Sequence, residues 1–506
     1  MASSSGHPAI SVARFLGMVH LRTMNDLTFK SALELGALLK ARTISAQELL
    51  QACLDQFAKH NETVNAVVVT DIPRALKAAA AADKRLDAGA ALSPIDGVPM
   101  TAKESFNWTG TPTTFGDPAF AQNIATEDAD AIVRLTAAGA VLYGKTNVPL
   151  DLSDWQSFNA VYGTTENPWR LGRTPGGSSG GSAVALATGM SAIEIGSDIG
   201  ASIRNPAHYC GVYGHKPTYE LVSYKGHGLP GSVSVADITV AGPLARSAKD
   251  LAVLLGIMAG PPSPASRAVK TALPKPEQKS LKDFRVAVRL SSPVAEVDHR
   301  VQDKIAWLAQ VLEKRVAKLS MTAAPAFSDE ENYQIFITLL RATASRKLTD
   351  AQYQEAVAQA QQLPVHDRSY VAMMTRAFAL SHRDWLRIHD RRNQMRQIWD
   401  QFLGEWDVLL CPVATSTAFR QNHEGERHER YIPVNGKSQS MIDQRFWAGY
   451  SGGYYLPSTV APIGLAEDGL PVGVQIITRE YEDLKAIRFA ELLEKEFGGF
   501  QPPPGY

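Results

Sequence analysis

The chain has 506 residues, 45% hydrophobic and 20% charged, which is ordinary globular usage and leaves room for a large buried core. Lysine plus arginine and aspartate plus glutamate each number 51, so no net field points to nucleic acid or to a strongly acidic partner. Cys53, Cys210 and Cys411 lack CxxC spacing and read as reduced thiols in a cytoplasmic setting, and no apolar run reaches the ~18 residues a membrane span needs.

Residues 1–26 read as an N-terminal extension outside the fold, because a more regular pattern opens only at Met24. From Ser31 to Asn61 the pattern is helical, broken at Thr43-Ile44-Ser45, and Ser45 with Glu48 forms a capping box for the second helix. Val64 to Thr70 is a short buried strand and Pro73 to Ala88 an alanine-rich helix. Val98 to Ala102 reads as a strand that delivers Lys103. Asp130 to Ala138 is a helix, Ala140 to Tyr143 a buried strand, and Ser182 to Thr188 a helix stopped by Gly189. Ile193 to Gly196 is a strand that ends at a serine-bearing turn. Such alternation predicts an α/β fold with a mostly buried sheet covered by helices. Gly260 to Lys282, rich in proline and lysine, reads as an exposed connector, and Asp298 to Leu403 as a helical region. Residues 261–405 are thus expected to form a connector plus helical cap inserted in one large domain, 27–506. Strands resume at Val408 to Leu410 and at Pro471 to Ile477.

Three motifs fail on physical grounds. Gly139-x4-Gly144-Lys145-Thr146 matches a phosphate loop in letters, but its spacers Ala140 to Tyr143 are strand-like rather than flexible. Gly176-x-Ser178-x-Gly180 resembles a nucleophile elbow, yet Arg170 to Pro175 supply no preceding strand. His423 and His428 are five apart and do not share a helix face, so no metal site is expected there. What remains is a pair of serines in glycine-rich turns, Gly176 to Gly181 and Ser197 to Arg204, with Lys103 upstream. Two hydroxyls and a base are the parts of acyl transfer. Asp198 can accept from the amides of its own turn and hold it rigid.

These runs resemble the amidase signature family. Its Gly-Gly-Ser-Ser-Gly-Gly and Gly-(Ser/Thr)-Asp-x-Gly-Gly-Ser-(Ile/Leu)-Arg-x-Pro runs correspond to Gly176–Ser182 and Gly196–Ala207. Asp96 to Pro99, Gly144 to Asn147, Asn167 to Trp169, Lys216 to Thr218 and Gly469 to Gln475 match further markers, so the likeness spans roughly 27–495. The resemblance implies one domain built on a mixed sheet. It also implies a Ser–cis-Ser–Lys triad: Ser202 as nucleophile, Ser178 as bridging serine after a cis peptide, and Lys103 as base. The amides of Ile199, Gly200, Ala201 and Ser202 would form the oxyanion hole. Leu152 and Trp155 are expected to line the acyl pocket, with Trp447, Tyr450, Tyr454 and Tyr455 contributing walls. A small-molecule amide substrate, no cofactor, and a monomer or homodimer are the corresponding expectations. Aryl amides, esters and carbamates suit the same machinery. The alternatives are the ammonia-releasing component of a tRNA-dependent amidotransferase and a non-catalytic binding protein on the same fold. Four positions depart from the family pattern: Ala201 for the second glycine, Glu104 after the lysine, and His215 and Glu220 around Lys-Pro-Thr. A positive φ at Ala201 would be strained.

Overall fold

The computed structural model describes residues 27–231 and 233–506, so the expected extension at 1–26 lies outside the described residues. Its strands are β1 (Val67–Thr70), β2 (Pro99–Lys103), β3 (Val141–Thr146), β4 (Phe158–Asn159), β5 (Gly163–Thr164), β6 (Ile193–Asp198), β7 (Tyr213–Lys216) and β8 (Val240–Ala245). They continue with β9 (Arg285–Val288), β10 (Lys318–Ser320), β11 (Val408–Pro412), β12 (Tyr431–Val434), β13 (Lys437–Ser440), β14 (Ser458–Leu465) and β15 (Pro471–Ile477). Eleven of these form one sheet in the order β1-β3-β2-β6-β8-β7-β14-β15-β11-β9-β10. The sheet is mixed: β2 is parallel to β3 and β6, and β9 to β10 and β11, while the neighbours from β6 through β15 to β11 are antiparallel. Every residue of β2, β3, β6, β7, β8, β11 and β15 is buried, as expected for strands covered on both faces.

The local sequence explains the first elements. Ser45 accepts from the Glu48 amide, and Glu48 answers to the Ser45 backbone, starting the helix Ala46–Val64 at the predicted capping box. That helix runs through Val64, so the strand predicted from Val64 begins only at Val67. Gly144-Lys145-Thr146 lies inside β3, as the apolar spacers indicated.

The stretch 261–405, read as a connector plus helical cap, also contributes two strands to the main sheet. Helices His299–Glu313, Asp329–Ala344, Asp350–Gln362, Tyr370–Phe378 and His382–Glu405 dominate it, but β9 and β10 belong to the main sheet. These strands are four and three residues long, too short for a period-two pattern to stand out among helices. The aromatic run near the C-terminal third also differs from expectation. Trp447, Tyr450 and Tyr454 are fully buried, and Trp399 of the helix His382–Glu405 meets Tyr450 at 5.1 Å between ring centroids. They are core rather than pocket wall.

The fold brings three segments together at one edge of the strands' carboxyl ends. Parallel pairing of Met100 with Ile193 and Ala102 with Ile195 sets the ends of β2 and β6 side by side. Lys103 closes β2, Asp198 closes β6, and the helix Gly180–Ala187 packs over both. Glycine is required there by proximity: a Cβ on Gly177 would lie 2.4 Å from the Asp154 carbonyl oxygen, and one on Gly181 2.3 Å from the Asn147 nitrogen.

Candidate active site

Lys103 is fully buried, and its Nζ donates to Ser178 Oγ at 2.6 Å and to Ser197 Oγ at 2.9 Å. The Gly177–Ser178 peptide is cis, as the resemblance implied. The Ser179 amide donates to the Ser202 carbonyl at 3.1 Å, which ties the first serine turn to the second. Among the described residues the Ser202 hydroxyl has no hydrogen-bond partner, and Ser202 borders a cavity of about 150 Å³. The structure therefore joins Lys103 to Ser178 directly and ties the Ser178 turn to the Ser202 turn through the backbone, while the Ser202 hydroxyl stays unengaged at the cavity.

Burial pushes the Lys103 ammonium down to about 7, while Asp198 and Glu194 act in the opposite sense. Glu194 is itself buried, and burial pushes its carboxyl up to about 8 against hydrogen bonds from Thr101, Ser182 and Thr146.

Asp198 organises the second serine turn. Burial would raise its carboxyl, but Arg204 outweighs that and holds it below the usual carboxylate range. Arg204 Nε and Nη2 meet its two oxygens at 3.0 and 2.9 Å, and the amides of Ala201 and Ile203 donate to it at 2.9 and 3.0 Å. Both side chains are fully buried. Arg204→Ala would leave a buried carboxylate unpaired and is expected to cost about 3–5 kcal/mol, measured by urea denaturation. A loss below about 1 kcal/mol would mean that the pair does not hold the turn.

Engagement of the Ala201 amide by Asp198 removes it from the four expected oxyanion donors. The amides of Ile199, Gly200 and Ser202 donate to no protein group among the described residues, and these three residues border the cavity whereas Ala201 does not. Ala201 has φ +72°, in the left-handed region where a side chain costs about 1–2 kcal/mol, and it is buried beside Trp155 and Tyr209. Leu152 and Trp155 both line the cavity, and Trp155 Nε1 donates to the Gly200 carbonyl at 2.7 Å, fixing the turn from the pocket side. Trp447, Tyr450, Tyr454 and Tyr455 do not line it.

The other departures have local accounts. Glu104 accepts from the Thr114 and Phe115 amides at 2.6 and 3.0 Å, so it serves a buried turn. His215 bridges Thr459 and Asp483 at 2.9 and 3.1 Å. Glu220 takes φ +62°, the conformation that explains the family's glycine there. His423 stacks on Phe158 at 3.7 Å between ring centroids, and it lies on a loop.

Several cavity residues escaped the sequence reading. Tyr224 and His227 line it, and His227 Nε2 contacts Ser105 Oγ at 2.8 Å. Ser197, the second hydroxyl on Lys103, was visible only as the middle of Gly-Ser-Asp. Arg341, Arg346, Lys347, Arg427 and Arg445 also face it, drawn from segments scattered over a hundred residues. No local pattern announces such a grouping.

Comparison with known proteins agrees with this architecture. The amidase family model matches residues 48–486. The acylamidase of Rhodococcus erythropolis is 30% identical, over 93% of this chain and 96% of its own length. A glutamyl-tRNA(Gln) amidotransferase component of Anaeromyxobacter sp. (strain K) is 31% identical, over 93% of this chain and 97% of that protein. The crystal structure of a bacterial aryl acylamidase of the amidase signature family shares the fold with a TM-score of 0.78 at 22% identity, covering 94% of this chain and 99% of that one. With a large mixed sheet, both serine runs in place and matches of this extent, the chain belongs to the amidase signature family and is an amidase.

Proposed function

We propose that this chain hydrolyses a small-molecule carboxamide through a seryl acyl-enzyme, with Ser202 as nucleophile, Ser178 as proton relay and Lys103 as base. The observation that carries the reading is the 2.6 Å contact from Lys103 Nζ to Ser178 Oγ in surroundings that push the ammonium down to about 7. An unperturbed lysine near 10.4 would be neutral in under about 0.1% of molecules at pH 7, whereas one near 7 is about half neutral. As Ser202 Oγ attacks the carbonyl carbon, its proton passes to Ser178 Oγ, and the Ser178 proton passes to Lys103 Nζ. The carbonyl oxygen becomes an oxyanion facing the amides of Ile199, Gly200 and Ser202. Each such donor is worth about 2.7–4 kcal/mol in comparable sites. Collapse breaks the C–N bond, the relay runs backwards to protonate the leaving amine, and water repeats the sequence on the acyl-enzyme.

The experiment is a panel of amides, anilides, esters and carbamates, each read against Ser202→Ala. Hydrolysis of at least one amide by the wild-type chain, and of none by the variant, is the expected result. Equal turnover by both would remove Ser202 from the chemistry. Likeness to the amidotransferase component favours a second reading, in which the chain works with a partner that takes up the released ammonia. Release of free acid and amine from simple amides by the isolated chain argues against it.

A further inference from the structure

The cavity that Ser202 borders is also lined by a group of cations. Arg341 comes from the helix Asp329–Ala344, Arg427 from the segment before β12, and Arg445 from the start of the helix Arg445–Gly452. The acids that border the same cavity are already engaged: Asp154 binds Arg430 at 2.6 Å, and Asp151 lies 3.5 Å from Lys347. Among the described residues, no carboxylate forms an ion pair with Arg341, Arg427 or Arg445. Asp443, two residues before Arg445, stays out of such a pair, and burial pushes its carboxyl up to about 6.

Arg341 is the clearest case. It is 6% exposed, its guanidinium lies 5.3 Å from the centre of the Tyr370 ring, and its Nε and Nη2 are buried without a hydrogen-bond partner. Burial, with Arg445 and Arg427 nearby, pushes it down to about 9, so it remains a cation at neutral pH. Arg427 donates only to the Ser153 carbonyl, and Arg445 has no side-chain partner among the described residues. A buried guanidinium with two idle donors is costly unless something supplies the acceptor. Its planar fork fits an oxyacid.

We infer that this group is an anion subsite: the amide that reaches Ser202 carries a carboxylate, which Arg341, Arg427 and Arg445 bind while the scissile carbonyl meets the serine turn. The inference rests on the amidase site proposed above and names the substrate class it selects. The carboxylate sits either on the acyl side or on the amine side of the bond.

The test is binding to the full-length Ser202→Ala chain by titration calorimetry, which needs no turnover. Succinanilic acid against butyranilide reads an acyl-side carboxylate. N-Butyryl-4-aminobenzoate against N-butyryl-4-toluidine reads an amine-side one. One carboxylate ligand is expected to bind about tenfold or more tightly than its neutral twin, a charged hydrogen bond's worth of discrimination. That ratio should fall toward one when Arg341→Met is added, and shrink as salt is raised. Should Arg341→Met fail to fold by circular dichroism, Arg445→Met carries the same readout. Equal binding within both pairs overturns the subsite. Wild-type hydrolysis of the neutral anilides would leave the amidase site standing in that event, whereas turnover that survives in Ser202→Ala would overturn the site itself.

Discussion

Ser202→Ala is expected to fold as the wild type does and to lose amide hydrolysis by a factor on the order of 10⁶. The residue is small and 6% exposed, its hydroxyl holds no other side chain in place, and alanine fills nearly the same volume. The backbone hydrogen bond from the Ser179 amide to the residue 202 carbonyl does not involve the side chain, so the two turns stay joined. What disappears is the atom that attacks. The measurement is steady-state turnover of the best amide in the panel, with an unchanged denaturation midpoint as the control for folding. Activity within about tenfold of wild type would mean that another group performs the attack.

Lys103→Met is the second large effect. Methionine keeps the length and apolar stem of lysine, and it replaces a fully buried ammonium whose charge burial already disfavours. The loss is in chemistry: Ser178 and Ser197 each lose the partner that sits 2.6 and 2.9 Å away. General-base catalysis is typically worth about 10²–10⁴-fold, and kcat/KM should fall by about the upper end of that range. The pH profile separates a base from a merely structural lysine. With the lysine near 7, the neutral fraction grows about tenfold per pH unit below that point and saturates above about 8. Wild-type kcat/KM should therefore rise with slope one up to pH 7 and then level off, and in Lys103→Met this limb should vanish. A wild-type profile flat from pH 6 to 10 would refute the assignment.

The limits of sequence legibility follow from the range of the interactions involved. Lys103 at a strand end, the capping box at Ser45 and Glu48, and β15 at Pro471–Ile477 are decided by neighbours a few residues away, and the chain displays them openly. Asp198 as the acceptor for its own turn was legible for the same reason. Its capture of the Ala201 amide was not, because four equivalent amides in a row become distinct only once the turn is folded. β9 and β10 were hidden by their shortness, and the Trp447–Tyr455 run by the fact that core and pocket aromatics look alike in sequence. The arginine group was hidden most completely. Arg341, Arg427 and Arg445 lie in separate helical and loop segments, and only the folded chain brings them to one cavity.

The most direct test of the relay is the rate at which a fluorophosphonate inactivates the wild-type chain from pH 5 to 10, with the adduct located by peptide mass spectrometry. The expected result is a single adduct on Ser202 and an inactivation rate that rises through a midpoint near 7, the point at which burial leaves Lys103 half neutral. An adduct elsewhere, or labelling of Ser202 at a rate independent of pH across that range, would contradict the relay.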